Sequence, residues 1–175
     1  MSGVVMEKII KILSKISDAL YKVQFVLLEI GVLVLVAVNA LQVAGRYFFR
    51  YSLPWSEQLS LVLFLALIML GGSLAMRTDT EIKITLVHFK NERVNLITSA
   101  VMDSLSLITI ILLIMSSTLL TKQALQLKQV ISSMNLDYTY VYGIVVLGFA
   151  VMGFEKLINL LKHINRIIKY PQSLD

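Results

Sequence analysis

Four apolar runs, each long enough to cross a bilayer as a helix, dominate the sequence at 23–45, 56–76, about 94–120 and about 138–161. A hydrocarbon core of about 30 Å takes about 20 residues of helix, because each residue advances the chain by about 1.5 Å. Backbone N–H and C=O groups find no water in lipid, so a spanning segment must satisfy them internally. A helix does this by itself. A β-barrel would instead show many alternating segments of about ten residues, a pattern absent here. The expected fold is all-α and integral to the membrane: a single membrane domain over 1–175, with four transmembrane helices and an amphipathic extension at each terminus. The third run exceeds a perpendicular crossing, which predicts tilt or projection from the membrane.

Composition agrees with lipid as the solvent. Hydrophobic residues make up 57% of the chain and charged residues 15%, with a mean hydropathy of +0.80. The formal charge of +5 would suggest nucleic acid in a soluble protein. Here the basic residues flank apolar runs, a placement that fits anionic headgroups and argues against nucleic acid. With no cysteine in the chain, disulfides, thiolate metal sites and thiol nucleophiles are excluded. The first apolar run is too long for the core of a cleavable leader and follows an amphipathic stretch, so no leader is expected.

Basic residues also orient the chain. One set of flanks holds Lys8, Lys11, Lys15, Lys22, Arg77, Lys83, Lys90, Arg93, Lys156, Lys162, Arg166 and Lys169; the other holds only Arg46, Arg50, Lys122 and Lys128. This asymmetry predicts that both termini and the middle connection face the cytoplasm. Within 7–22, Ile9, Leu13, Ile16 and Leu20 recur at helical spacing, predicting a helix lying in the interface. Leu157, Leu161, Ile164 and Ile168 repeat the pattern at the other terminus, so the fourth helix is expected to run on into that interface. Lys8, Lys11, Lys15, Lys162 and Arg166 then meet lipid headgroups. Lipid anchoring is the simpler reading of these stretches, and a partner site is the other.

Converging polar groups, which catalysis needs, are scarce. His88 lies in the middle connection and His163 in the tail, away from the facing intramembrane positions that bind haem, which disfavours a redox anchor. No catalytic residues, metal ligands or cofactor are expected, and the chain does not read as an enzyme. Charge at membrane depth is costly and is usually paired or functional, which singles out Glu29, Asp103, Glu155 and Lys156. Glu29 could serve a self-sufficient, proton-coupled multidrug-type exporter. Alternatively these groups pair with Lys156 or reach the headgroups. Carriers tend to show interrupted helices near the midplane, yet Pro54 precedes the second span and Pro171 lies in the tail.

In the first span Ala37, Ala40 and Ala44 share one face, and Asn39, Gln42 and Arg46 share roughly the opposite one. Small residues permit close approach and polar ones seek bonds across helices, so this helix is expected between its own bundle and a partner. Ser56, Ser60, Gly71 and Ala75 suggest a packing side on the second span. Between the two spans lies a dense run, 46–58. Tyr47, Tyr51 and Trp55 suit an interfacial belt. Ser52 can cap the next helix, Pro54 suits its first turn, and Glu57 complements its dipole. Arg46 and Glu57 flank the turn and are expected to pair across it. With Arg50, these residues also make a candidate docking edge.

The run RYFFRYSLPWSEQLSLVLFLALIMLGGSLAM, from Arg46 to Met76, followed by Arg77, resembles the small membrane subunit of tripartite ATP-independent periplasmic (TRAP) transporters, the DctQ-like family. Arg46-Tyr47, Ser52-Leu53-Pro54-Trp55-Ser56-Glu57 and Leu70-Gly71 to Arg77 carry the resemblance, and the four-helix plan extends it over the chain. The sequence departs from the family at Gln58, where a second acid is common, at Glu81-Ile82 in place of a His-Ile pair, and near Val146, where a proline is usual. The resemblance implies a large membrane subunit that moves an organic acid by an elevator motion on a sodium gradient, and a periplasmic substrate-binding protein that delivers it. It implies that this chain is a scaffold in a bacterial inner membrane, with sialic acid and C4-dicarboxylates as family-level substrates.

Overall fold

The structure is a computed structural model in which residues 2–48, 53–78 and 92–169 are described; within them, the side chains of 2–6, 9, 92–96, 166, 168 and 169 are not. Four helices dominate the fold: α1 Ser2–Phe48, α2 Pro54–Thr78, α3 Glu92–Gln126 and α4 Tyr138–Lys169. A small antiparallel hairpin, β1 Val130–Ile131 and β2 Leu136–Asp137, joins α3 to α4 with Val130 opposite Asp137 and Ile131 opposite Leu136. All four helices are long and apolar enough to span a membrane. The protein is therefore all-α and membrane-integral in character, as the four apolar runs predict.

Burial is inverted relative to a soluble protein, where charged groups are almost never inside. Among the described residues, the buried apolar side chains are Val38, Ile110, Ala124, Ile131, Met152 and Ile158. The buried polar set is larger: Ser17, Gln24, Ser56, Ser73, Asp103, Ser117, Glu155, Lys156 and Asn159. Large apolar groups such as Leu33, Leu112, Leu119 and Leu147 face outward. Lipid is as apolar as leucine, so outward leucines cost nothing there, while polar groups gain by finding each other inside.

Helix α4 is the hub, packing on α3 and α2 and more lightly on α1. Helix α1 packs mainly on α2, and most side chains of its apolar stretch are exposed. Its seam reads Ser17, Tyr21, Gln24, Leu28, Gly31, Leu35, Val38, Gln42 and Gly45, all buried or half-buried. That alternation of threes and fours is the spacing of a coiled-coil seam, which keeps one stripe facing its neighbours along a long helix. Gly31 lies against Leu67, and on α4 Gly148 lies against Met69, where a β-carbon would come within 2.6 Å of the Met69 Cβ. These glycines set the close approach of α2 to its neighbours.

One sequence expectation changes here. Residues 7–22 are not a separate element but the first turns of α1, with Ile12 and Ile16 exposed and Ser17 buried. Ser17 and the half-buried Leu13, Leu20 and Tyr21 face the bundle, while Lys8, Lys11 and Lys15 stay exposed. Helix α4, in contrast, does continue to Lys169 as the tail pattern predicts.

Helix α3 ends in a Schellman cap: the Gln129 N–H donates to the Ala124 carbonyl at 3.2 Å and the Lys128 N–H to that of Leu125 at 3.4 Å. Lys128 therefore takes the left-handed conformation, φ 46°, at a position that glycine usually fills.

Candidate functional site

The most chemically loaded region is a polar belt across the end of the bundle where α1 begins, α2 and α4 end, and α3 begins. Asp103, fully buried on α3, anchors it. Its Oδ1 lies 3.0 Å from Lys156 Nζ on α4, and its Oδ2 accepts from His163 Nδ1 at 2.6 Å, one α4 face supplying both partners. The spacing of seven residues between Lys156 and His163 is two helical turns, which stacks them on one side. Glu155, adjacent to Lys156 in sequence, turns instead to α1, where the Ser17 hydroxyl donates to its Oε2 at 2.7 Å.

Three further contacts tie α2 into the belt. Arg77 donates to the Ser17 carbonyl, pairs with Asp18 at 2.5 Å and lies over the Tyr21 ring at 4.5 Å. Asn159 donates to the Met76 carbonyl at 2.8 Å, filling an acceptor left open by the end of α2. Deeper in, the Ser73 hydroxyl donates to Gln24 Oε1 at 3.3 Å. Each buried bond of this kind is worth about 0.6 kcal/mol on average in a membrane protein, so their number and convergence matter more than any one. The Asp103–Lys156 pair differs, because removing one partner would leave the other charge under-compensated in a low-dielectric interior.

The belt pairs charges; it does not present them to a substrate. A cavity of about 340 Å³ between α1, α2 and α4 is almost wholly apolar, and its two polar residues, Gln24 and Ser73, bond to each other. A second groove, about 490 Å³, runs between α3 and α4 past Ile97, Val101, Leu105 and Ile164. Among the described residues, no three His, Cys, Asp or Glu side chains converge as a metal site. Glu29 is exposed on α1 and lines neither cavity.

The residues singled out at the far end behave differently. Pro54 opens α2, as expected, and Ser56, buried behind it, donates its hydroxyl to the Leu53 carbonyl at 2.7 Å. Trp55, Glu57, Arg46 and Tyr47 are exposed, and Arg46 and Glu57 do not pair. Each instead complements its own helix: Arg46 in the last turn of α1 and Glu57 in the first turn of α2, where the dipole favours those signs. Arg50, Tyr51 and Ser52 lie outside the described residues, as do Lys83, His88 and Lys90 and the Glu81-Ile82 departure.

On the first span, Gln42 turns into the seam, whereas Asn39 is exposed and donates to its own helix at Leu35. Ala37 and Ala40, expected to pack, face outward within this chain, and Ala44 is half-buried. The 3.5-residue seam places them there, since Val38 and Gly45 take the inward positions. Ser60, Gly71 and Ala75 are half-buried on α2, with Gly71 against Leu28. Of the headgroup set, Lys8, Lys11, Lys15 and Lys162 are exposed.

Comparison with known families reads this arrangement. The family model described as tripartite ATP-independent periplasmic transporters, DctQ component, matches residues 35–166, well over half of the chain. The protein belongs to the DctQ family. No curated protein sequence matches the chain. As a DctQ component it is the small subunit of a TRAP transporter, a transporter component and not a member of an enzyme family. The matched segment takes in α2, the Asp103–Lys156–His163 group and the exposed edge at Arg46, but not Ser17 or Gln24. The exporter reading of Glu29 is unsupported: the family is a multi-component transporter, and no cavity described here reaches that carboxylate.

Sequence reasoning identified Asp103, Glu155 and Lys156 as intramembrane charges and offered pairing with Lys156 as one reading, which holds for Asp103. It placed His163 in the tail, and missed Ser17, Gln24, Ser73 and Asn159 altogether. The signal that finds the α1 members is the spacing of its polar and small residues at 17, 24, 31, 42 and 45.

Proposed function

We propose that this TRAP small subunit is the fixed scaffold of a sodium-coupled importer of an organic acid in a bacterial inner membrane. One observation supports this above the others: the buried Asp103 and Lys156 pair with each other, holding α3 to α4, buried Glu155 accepts from Ser17 on α1, and none of the three lines either cavity described here. A bundle locked in this way suits support of a moving neighbour. In this reading the basic end faces the cytoplasm, with Lys8, Lys11, Lys15, Lys162 and Arg166 at the headgroups, and both termini lie inside.

The opposite edge, with Arg46, Tyr47, Arg50, Tyr51, Trp55 and Glu57, then faces the periplasm near the docked substrate-binding protein. Asn39 and Gln42 belong to the same helix as the contact with the large elevator-type subunit. Sialic acid and C4-dicarboxylates are the substrate classes to test first. Reconstitution in liposomes checks the scaffold role: the small subunit alone gives no uptake, and uptake requires the large subunit, the binding protein and an inward sodium gradient. Uptake by the small subunit alone would overturn it.

A further inference from the structure

Among the described residues, one acidic side chain set within an apolar run has no partner in this chain. Glu29 is exposed on α1, outside every described ion pair and hydrogen bond. Its place within the first apolar run works against a simple escape to water. Eleven residues separate it from Asp18 in the polar belt and seventeen from Arg46 at the far end, roughly 16 Å and 26 Å along the helix. Leu28 and Gly31, its neighbours, lie against Gly71 and Leu67 of α2, well inside that helix from Arg77. Lys22, the nearest charge on the same stripe, stands seven residues and roughly 10 Å before it at the edge of the apolar run, and an ionised carboxylate facing lipid inside that run is costly.

Its surroundings indicate what relieves that cost. At about 100° per residue, Lys22, Val36, Ala40 and Tyr47 fall within about 20° of Glu29, and all are exposed. This stripe lies opposite the seam of Gln24, Gly31 and Val38. It combines a carboxylate, a small residue that admits a close neighbour, and an aromatic residue at its outer end, which are the features of a helix-packing face. Ala37, also exposed, widens the shallow part of the stripe.

We infer that Glu29 pairs with a basic side chain on a membrane-spanning helix of the large subunit, and that the Glu29–Val36–Ala40 stripe of α1 is the face on which that helix packs. This rests on the scaffold reading and specifies its contact. The inverse face of α1 is already used within the chain, and a cation is the partner that offsets a carboxylate most fully in a low-dielectric site.

Because the chain lacks cysteine, single cysteines can be read cleanly. With the large subunit co-expressed in membranes, a photoreactive maleimide at Val36→Cys or Ala40→Cys should crosslink to it, and one at Leu112→Cys on the far side of α3 should not. Crosslinks from Leu112→Cys alone would overturn the assigned face. No crosslink from any of the three, with the subunits also failing to co-purify, would instead sink the scaffold reading itself. For the charge, Glu29→Gln and Glu29→Leu should each cut co-purification of the large subunit about tenfold, with Glu29→Asp falling less. The isolated small subunit should stay monodisperse in all three variants, since Glu29 holds nothing within the chain. Wild-type co-purification by Glu29→Gln would overturn the ion pair, even where the crosslinks stand.

Discussion

The two ends of the bundle contain similar residues and use them in opposite ways. At the basic end Asp18 meets Arg77 between α1 and α2, and Asp103 meets Lys156 and His163 between α3 and α4. At the far end Arg46 and Glu57 stay apart, with Tyr47 and Trp55 exposed beside them. One end is finished by intramolecular contacts; the other is left open to whatever lies outside the chain. The difference teaches where stability resides and where recognition can be sought, because a charge already paired in the interior is unavailable to a partner.

The sharpest way to break this contrast is to strand a charge at the basic end. Lys156→Met removes the buried ion pair with Asp103 and should cost about 3–5 kcal/mol, whereas Lys156→Met combined with Asp103→Leu should recover most of that loss. Unfolding of the purified subunit in mixed micelles measures both, and equal loss in the double variant would refute the pairing account. A smaller effect is expected at the rim of the belt. Arg77→Ala removes contacts to Ser17, Asp18 and the Tyr21 ring but acts on an exposed pair, so about 1 kcal/mol is expected.

Arg46→Ala and Glu57→Ala should each cost at most about 0.5 kcal/mol in that same unfolding assay, from the lost dipole complement, while lowering reconstituted uptake. Their effects on uptake should add in the double variant, since the two side chains do not touch; a double variant no worse than either single would restore a coupling between them. One change runs the other way. Lys128 occupies a left-handed position, and Lys128→Gly should stabilise the subunit by up to about 1 kcal/mol in the same assay, with no gain arguing against strain at that cap.

Much of the fold was legible because lipid imposes length: four runs near the thickness of the hydrocarbon core became four helices. The faces were harder to read. In water an apolar stripe marks the inside of a helix, but in lipid both sides of α1 are apolar, and the phase is carried only by Ser17, Gln24, Gly31, Gln42 and Gly45. Alanine at 37 and 40 suggested a packing face without saying whether the bundle or a partner meets it, and the chain turns those residues outward. Position 7–22 misled for the same reason: its apolar repeat is real, but Ser17 decides which side faces in. The Asp103 partners needed α3 and α4 to be placed together, since His163 lies sixty residues away in sequence. The cap at Lys128 carried no glycine to announce it.

The polar interior and apolar exterior also set how such a bundle responds to temperature. Unfolding of a soluble protein exposes buried apolar surface to water, and the heat capacity of that hydration bends the stability curve into a dome. When α1 or α3 separates from its neighbours within a bilayer, the newly bared leucines meet acyl chains and the bared polar groups meet little water. The curvature that produces cold denaturation has no source there. What remains is a balance between the ionic belt and chain freedom, which weakens steadily as the membrane warms.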